Sequence, residues 1–267
     1  MRHLLKRSSP PIITLTTDFG LRDAYVAEMK GCILSHCPTA VLVDISHEIP
    51  AGDIQEGAFV LARAAASFPP ETVHLAVVDP GVGGTRRALA AESTRFRAVG
   101  PDNGLLAPLL DAARVVALED GPQGGQPAAT FHGRDLFAPA AARLARGDDL
   151  ESLGSLVQGA LVPVPAATSL AILHVDHFGN CVTNIDPRQV PTGGRWQVLA
   201  GGRSLSLRVR TYSDAPAGKP VLILGSDGRM EIALRDGHAA TALNLARGDR
   251  LEVIQQDPKP PRREKDS

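Results

Sequence analysis

The sequence predicts an α/β N-terminal domain with a mostly parallel sheet, followed by a smaller all-β C-terminal domain. Three observations carry this. Short apolar runs alternate with helical patterns over the first two-thirds of the chain, the signature of βαβ units. The helical patterns then fade past Val162-Pro163-Val164-Pro165, and the runs beyond sit between glycine turns. The length of 267 residues allows about two domains at roughly 150 residues each.

In order, Ile12 to Thr17 reads as a buried strand ending at Asp18. A helix follows from Asp23, with Val26, Met29, Ile33 and Cys37 at helical spacing on one face. Val41 to Ile45 is a second strand. Asp53 is an N-cap, with Glu56 three residues on as a capping box, opening a helix towards Ser67. Val73 to Val78 is a third strand, ending at Asp79. A strand near Phe96 to Val99, a short helix from Leu105, a strand at Arg114 to Leu118 and a helix from about Leu136 to Arg146 complete a domain spanning 10–165. The β domain spans 168–256. Its clearest strands are Ala171 to Val175, Trp196 to Leu199, Leu205 to Val209, Val221 to Leu224 and Met230 to Ala233, with Gly201-Gly202 as a hairpin signal. The tail at 257–267, DPKPPRREKDS, is proline-rich and charged and is expected to be disordered.

Composition excludes several classes. The 28 basic and 29 acidic residues give a formal charge of −1, which argues against a generally basic nucleic-acid binder. No apolar run approaches the roughly 18 to 20 residues of a membrane span. The start, MRHLLKRSSPPIITL, has no uninterrupted apolar core of the secretory type. Three cysteines, an odd number, argue against a disulfide scaffold and for the cytoplasm. Cys32 and Cys37 read as core thiols of the first helix, and no HExxH or GxSxG occurs, so no metal site and no esterase elbow is expected.

In an open parallel sheet, ligands bind beyond the carboxyl ends of the strands. Asp18 and Asp79 fall there. A carboxylate at such a position suits a ribose diol, because both hydroxyls can donate to it; Asp18 also reads as a cap or turn former. The glycine-rich run from Pro80 to Thr85 is neither a Walker loop nor a dinucleotide fingerprint, and reads as a plain loop rather than a phosphate cradle. Arg86 or Arg87 either faces solvent or folds back to Asp79, seven residues earlier for Arg86. Of eight histidines, His132 is the one chosen for chemistry, since it precedes a helix whose entry loop lines the cleft; an ordinary capping histidine is the competing reading. In VDHFGNCVTNI, Asp176, Phe178 and Asn180 alternate along an extended chain and share a face, suiting a purine with a charged substituent. A hairpin turn at Phe178-Gly179-Asn180 explains the segment equally well.

Seven segments occur in order between residues 16 and 234: TTDFGLRDAYVAEMKG, VDISHEIPAGDIQEGA, VVDPGVGGTRRALA, GPDNGLL, TFHGRDLFAPAAARLA, VDHFGNCVTNI and GSDGRMEIAL. Together they resemble the S-adenosyl-L-methionine hydroxide adenosyltransferases, relatives of the bacterial fluorinase and chlorinase. The resemblance implies a barrel-like C-terminal β domain and a homotrimer whose active sites lie where one subunit's N-domain meets a neighbour's C-domain. It implies hydrolysis of S-adenosyl-L-methionine to adenosine and L-methionine without a cofactor, the sulfonium being the substrate, and with neither nucleic acid nor membrane as partner. Asp79, Arg86 and His132 match the family's Asp-Arg-His set. By the same resemblance Asp18 binds the ribose hydroxyls, Phe178, Asn180 and Tyr212 hold adenine, and Asp176 and Ser226 take the methionine end. The GSDG segment departs from the halogenase pattern, which has an arginine where this chain has Asp227.

Two other readings stand beside hydrolysis. A halogenase is disfavoured because halogenases have tyrosine at the position of Asp79, and a carboxylate repels halide. The fluorinase Tyr-Ser pair is likewise replaced by His132-Gly133. A non-catalytic sulfonium-binding sensor is the third. From the reference histidine pKa near 6.5, turnover is expected to rise through neutral pH and level off in mild alkali.

Overall fold

The alternation of apolar runs and helical patterns produces, in chain order, β1 (Ile12–Thr17), α1 (Tyr25–His36), β2 (Val41–Ser46), α2 (Ile54–Ala65), β3 (Val73–Val77), β4 (Ala88–Glu92), β5 (Arg97–Pro101), β6 (Arg114–Leu118), α3 (Ala138–Arg146) and β7 (Gly154–Leu156). The computed structural model describes residues 9–119, 127–165, 169–190 and 195–256, so the expected disordered tail at 257–267 lies outside the described residues. The chain divides into two compact units at Ala166/Ala167.

The first unit is built on a seven-stranded sheet of order β2-β1-β3-β5-β4-β6-β7. Strands β2, β1, β3 and β5 pair in parallel, while β4 runs against both β5 and β6, and β7 against β6. Five strands therefore point one way and two the other, a mostly parallel sheet. All five residues of β3 are buried, as a central strand covered on both faces requires. Leu75 and Val77 join the core that includes Met29 and Ile33 of α1 and Ala141 and Leu144 of α3. Ala76 and Val78 join the other core, with Leu61 and Ala65 of α2. Hence α1 and α2 cover opposite faces. Strands β1 and β3 are neighbours, and the chain leaves β1 towards β2 but leaves β3 towards β4 and β5, in opposite directions along the sheet. This is a topological switch point, where the carboxyl ends of neighbouring strands flank an open crevice.

Several elements differ from the sequence reading. Helix α1 starts at Tyr25 rather than Asp23, and Ala24 gives it no side-chain cap. Asp53 does cap α2, its Oδ1 accepting from the Glu56 N–H at 3.0 Å. The helix expected from Leu136 opens earlier, as a π-helical turn at Gly133–Phe137 that runs into α3. Strand β4 is additional. Its ALAAE sequence lacks the β-branched residues that mark strands, and pairing on both sides holds it in the sheet.

The second unit continues with β8 (Ile172–Val175), β9 (Cys181–Thr183), β10 (Arg195–Ala200), β11 (Arg203–Leu205), β12 (Arg208–Val209), β13 (Pro220–Leu224), β14 (Met230–Leu234), α4 (Ala239–Leu243) and β15 (Glu252–Gln256). They form a three-stranded sheet, β11-β10-β15, and a five-stranded sheet, β12-β13-β14-β9-β8. All pairs are antiparallel except β12 with β13. The Gly201-Gly202 hairpin joins β10 to β11 as read. The single strand read at Leu205 to Val209 is corrected: the chain changes sheets there, β11 pairing with β10 and β12 with β13. Among the described residues no helix is long and apolar enough to cross a membrane.

Candidate active site

The crevice is a hollow of about 790 Å³ in the first unit, lined among others by Asp18, Phe19, Tyr25, Asp79, Phe131 and His132. Its size falls within the roughly 300–1,000 Å³ common for small-molecule sites. The register Thr17↔Val77 sets the ends of β1 and β3 side by side, so Asp18 and Asp79 reach it from adjacent strands.

Asp18 is held by a knot of local bonds. Its Oδ2 accepts from the Gly52 N–H at 2.8 Å, leaving Oδ1 for a further donor. The Thr17 hydroxyl bonds His47 Nδ1 at 2.8 Å, and the Gly20 N–H donates to the His47 carbonyl at 2.7 Å. Phe19, Tyr25 and Phe131 meet edge to face, with centroids 5.2 to 6.0 Å apart, and give one wall an aromatic surface.

Arg86, rather than Arg87, folds back to Asp79. Its Nε donates to Oδ1 at 3.1 Å and to Oδ2 at 3.0 Å, and a terminal nitrogen also bonds Oδ2. The side chains are only 12% and 4% exposed. Burying two charges is costly, and paired donors of this fork-like kind are what offset it. The guanidinium then donates to His132 Nδ1 at 2.8 Å and lies over the Phe137 ring, 5.3 Å from its centroid. A guanidinium has no acceptor, so His132 Nδ1 carries the lone pair and the neutral ring is protonated at Nε2. Burial, and after it the Arg86 charge, pulls the His132 pKa below the ordinary histidine value, with Asp79 and Asp135 acting against the shift. His132 sits immediately before the π-helical turn, a distortion frequent at functional sites. The loop between Asp79 and Arg86 packs on its own chain. Gly83 has φ +74°, and a Cβ there would lie 2.3 Å from the Ala129 carbonyl oxygen, so only glycine fits. Arg87 instead pairs with Asp102.

A second hollow, about 720 Å³, belongs to the second unit and is lined by Asp176, Phe178, Asn180, Tyr212, Arg235 and Asp236 among others. The extended-chain reading of its first three residues is corrected: they form the turn between β8 and β9. Asp176 Oδ1 accepts from the N–H groups of Phe178 (3.0 Å) and Asn180 (2.8 Å), and Oδ2 from Asn180 Nδ2 (3.0 Å). An aspartate captures nearby backbone donors in this way and closes a turn. The turn leaves Phe178 73% exposed. The Tyr212 hydroxyl donates to Glu231 Oε2 at 2.8 Å, with Glu231 itself buried. Ser226 lies exposed in the β13–β14 turn and does not line this hollow. Glu231, the aromatic wall and the Gly52 donor were missed by sequence reasoning. For the wall, the phenylalanines flanking Asp18 and His132 were a usable signal.

Comparison with known proteins agrees with this architecture. Residues 13–154 match the SAM hydroxide adenosyltransferase N-terminal domain and residues 170–252 its C-terminal domain. The chain is 43% identical over 254 residues to an (R)-S-adenosyl-L-methionine hydrolase of Thermus thermophilus, covering 89% of this chain and 97% of that one. It is 40% identical over 269 residues to a protein of the same name from Salinispora arenicola, covering 92% and 98%. A fluorinase of Nocardia brasiliensis is 30% identical over 295 residues, covering 91% and 96%. A crystal structure of an uncharacterized conserved protein from Thermotoga maritima superposes with a TM-score of 0.82 at 32% identity, covering 91% of this chain and all of that one. With both halves matched in order, the chain belongs to the SAM hydroxide adenosyltransferase family.

Proposed function

We propose that the protein hydrolyses S-adenosyl-L-methionine to adenosine and L-methionine, with water attacking the ribose C5′ as the sulfur departs. The C5′–O bond forms, the C5′–S bond breaks with its electron pair going to neutral methionine, and one proton is released. The observation that carries this reading is the hydrogen-bonded run Asp79–Arg86–His132, whose two ends, Asp79 and His132, line a crevice with Asp18.

The roles follow from the donors and acceptors. Asp18 Oδ1 accepts from the ribose hydroxyls, since Oδ2 is engaged by Gly52. His132, protonated at Nε2, donates to the water oxygen and fixes its lone pair toward C5′. Its Nδ1 is occupied by Arg86, so the anionic Asp79 is the acceptor for the proton released as the C–O bond forms. Arg86, which does not line the crevice, holds the Asp79 carboxylate and the His132 ring in place for this transfer. Phe178, Asn180 and Tyr212 hold adenine and Asp176 takes the methionine end, while Ser226, which does not line the Phe178 hollow, is left out of the scheme. No cofactor enters this scheme. Because the two hollows lie on separate units, a homotrimer that sets one subunit's Asp18 hollow against a neighbour's Phe178 hollow completes each site. The names of the hydrolase relatives point to the (R)-sulfonium epimer as substrate.

The test is incubation of the purified protein with each sulfonium epimer, with and without halide, and separation of the nucleosides. Adenosine as sole product supports the proposal. A halogenated nucleoside identifies a halogenase, and binding without turnover identifies a sensor.

A further inference from the structure

The GPDNGLL segment contributes no residue to the lining of the Asp79 hollow, yet it binds both ends of the loop that carries Asp79 and Arg86. Asn103 Nδ2 donates to the carbonyl of Val78 at 2.8 Å, immediately before Asp79. Asn103 Oδ1 accepts from the Leu105 N–H at 3.1 Å, so both ends of the amide are committed. At the other end, the Asp102 N–H donates to the Arg87 carbonyl at 3.0 Å, and Arg87 Nε donates to Asp102 Oδ2 at 2.7 Å. The Asp102 side chain is buried, and its Oδ1 accepts from the Val162 N–H at 3.0 Å. Gly104 has φ +102°, and a Cβ there would meet the Pro163 carbonyl oxygen at 2.4 Å, so residues 163–165 close over the turn.

We infer that Asp102 and Asn103 are positioning residues for the proposed hydrolysis, clamping the loop at Val78 and Arg87 so that Asp79 and Arg86 hold the Arg86–His132 contact. The loop between them is shaped by two turn bonds, from the Val82 N–H to the Asp79 carbonyl and from the Gly84 N–H to the Gly81 carbonyl, so Asp79 and Arg86 follow the anchors at its ends. A displacement of about 1 Å in such a group costs on the order of 100-fold in rate. The kinetic arm of the test rests on the hydrolase reading; the spectroscopic arm does not.

Asn103→Asp keeps the acceptor for Leu105 and replaces the donor to Val78 by an oxygen; Asp102→Asn keeps the acceptor for Val162 and removes the charge facing Arg87. Each is expected to lower kcat by about 10- to 100-fold with KM changed by less than about threefold. Leu109→Ala, a truncation in the core beside the same turn, serves as the folding control: it lowers Tm and leaves kcat unchanged well below that temperature. Nitrogen NMR of the His132 ring at about pH 8 shows a single Nε2-protonated tautomer in the wild type, and a tautomer mixture in Asn103→Asp. Folded variants that both keep kcat within about twofold and the single tautomer would overturn the clamp, as would a Leu109→Ala loss of kcat equal to theirs. A wild-type protein without turnover would remove the hydrolase reading and leave the tautomer measurement to decide the clamp.

Discussion

His132 receives a hydrogen bond from Arg86, and this single contact sets what the ring can do. In the neutral ring, Nε2 is the donor and Nδ1 is taken. Protonation places a second N–H against a guanidinium that can only donate, which breaks the contact. Because burial and Arg86 lower the His132 pKa, the neutral ring persists below the ordinary histidine range. Turnover is therefore expected to be flat through neutral and mildly alkaline pH and to fall in acid, with the midpoint below 6.5; this moves the rise expected from the reference pKa alone to lower pH. A pH–kcat profile with its midpoint above 6.5 contradicts it. Removing Arg86 as Arg86→Met, or His132 as His132→Asn, is expected to lower kcat by about 100- to 1,000-fold with KM little changed, because His132 orients the attacking water and Arg86 fixes His132 and Asp79 around it. Steady-state kinetics on each variant check this. The seven-residue spacing from Asp79 to Arg86 was legible in the sequence, and so was the placement of His132 before a helix. The His132 tautomer was not, since it depends on where a flexible guanidinium ends. The Asp176 turn was half legible: glycine signalled a turn, but the capture of three donors by one carboxylate needed the backbone path.

At the level of elements, the regular pieces were readable where apolar period and caps agreed. Asp53 and Glu56 marked the start of α2, and Asp53→Ala is expected to cost about 1 kcal/mol in a denaturant titration without changing kcat. Strands β1, β3 and β6 were apparent from runs of β-branched and aliphatic residues. Strand β4 was not, because its alanines carry no strand preference and only its two neighbours define it. The π-helical turn was also hidden, for the Gly133–Phe137 sequence does not distinguish i→i+5 from i→i+4 bonding. It leads into α3 from a fully buried Phe137 whose ring lies under Arg86 and edge-on to His132, 6.4 Å between centroids. Phe137→Ala is expected to cost about 3–5 kcal/mol of stability and to lower kcat as well, since it opens a cavity beneath both side chains. A variant with the stability loss but wild-type kcat would show that Phe137 supports only the core.

For the whole molecule, two properties follow. The burial of His74 against Phe68 and Phe96, with Thr14 on Nδ1, pushes its pKa down to about 4. Between roughly pH 6.5 and 4 the unfolded chain binds more protons than the folded one, so stability present above about 6.5 declines as pH falls through this window, by up to about 3 kcal/mol. Chemical denaturation across that range checks the sign, and His74→Gln is expected to flatten the slope. The proposed homotrimer makes activity depend on association, so light scattering and turnover measured together on dilution are expected to fall in step. A fully active monomer contradicts that assembly. The division into an α/β unit and a β unit was legible from the fading of helical period after Val162, whereas the switch-point crevice between β1 and β3 became evident only from strand order. The proposed attack of water on C5′ belongs to that crevice. Its most direct measurement is turnover of S-adenosyl-L-methionine in heavy-oxygen water, followed by mass spectrometry of both products. Attack at C5′ puts one heavy oxygen in the 5′-hydroxyl of adenosine and none in methionine; label in methionine, or unlabelled adenosine, rules it out.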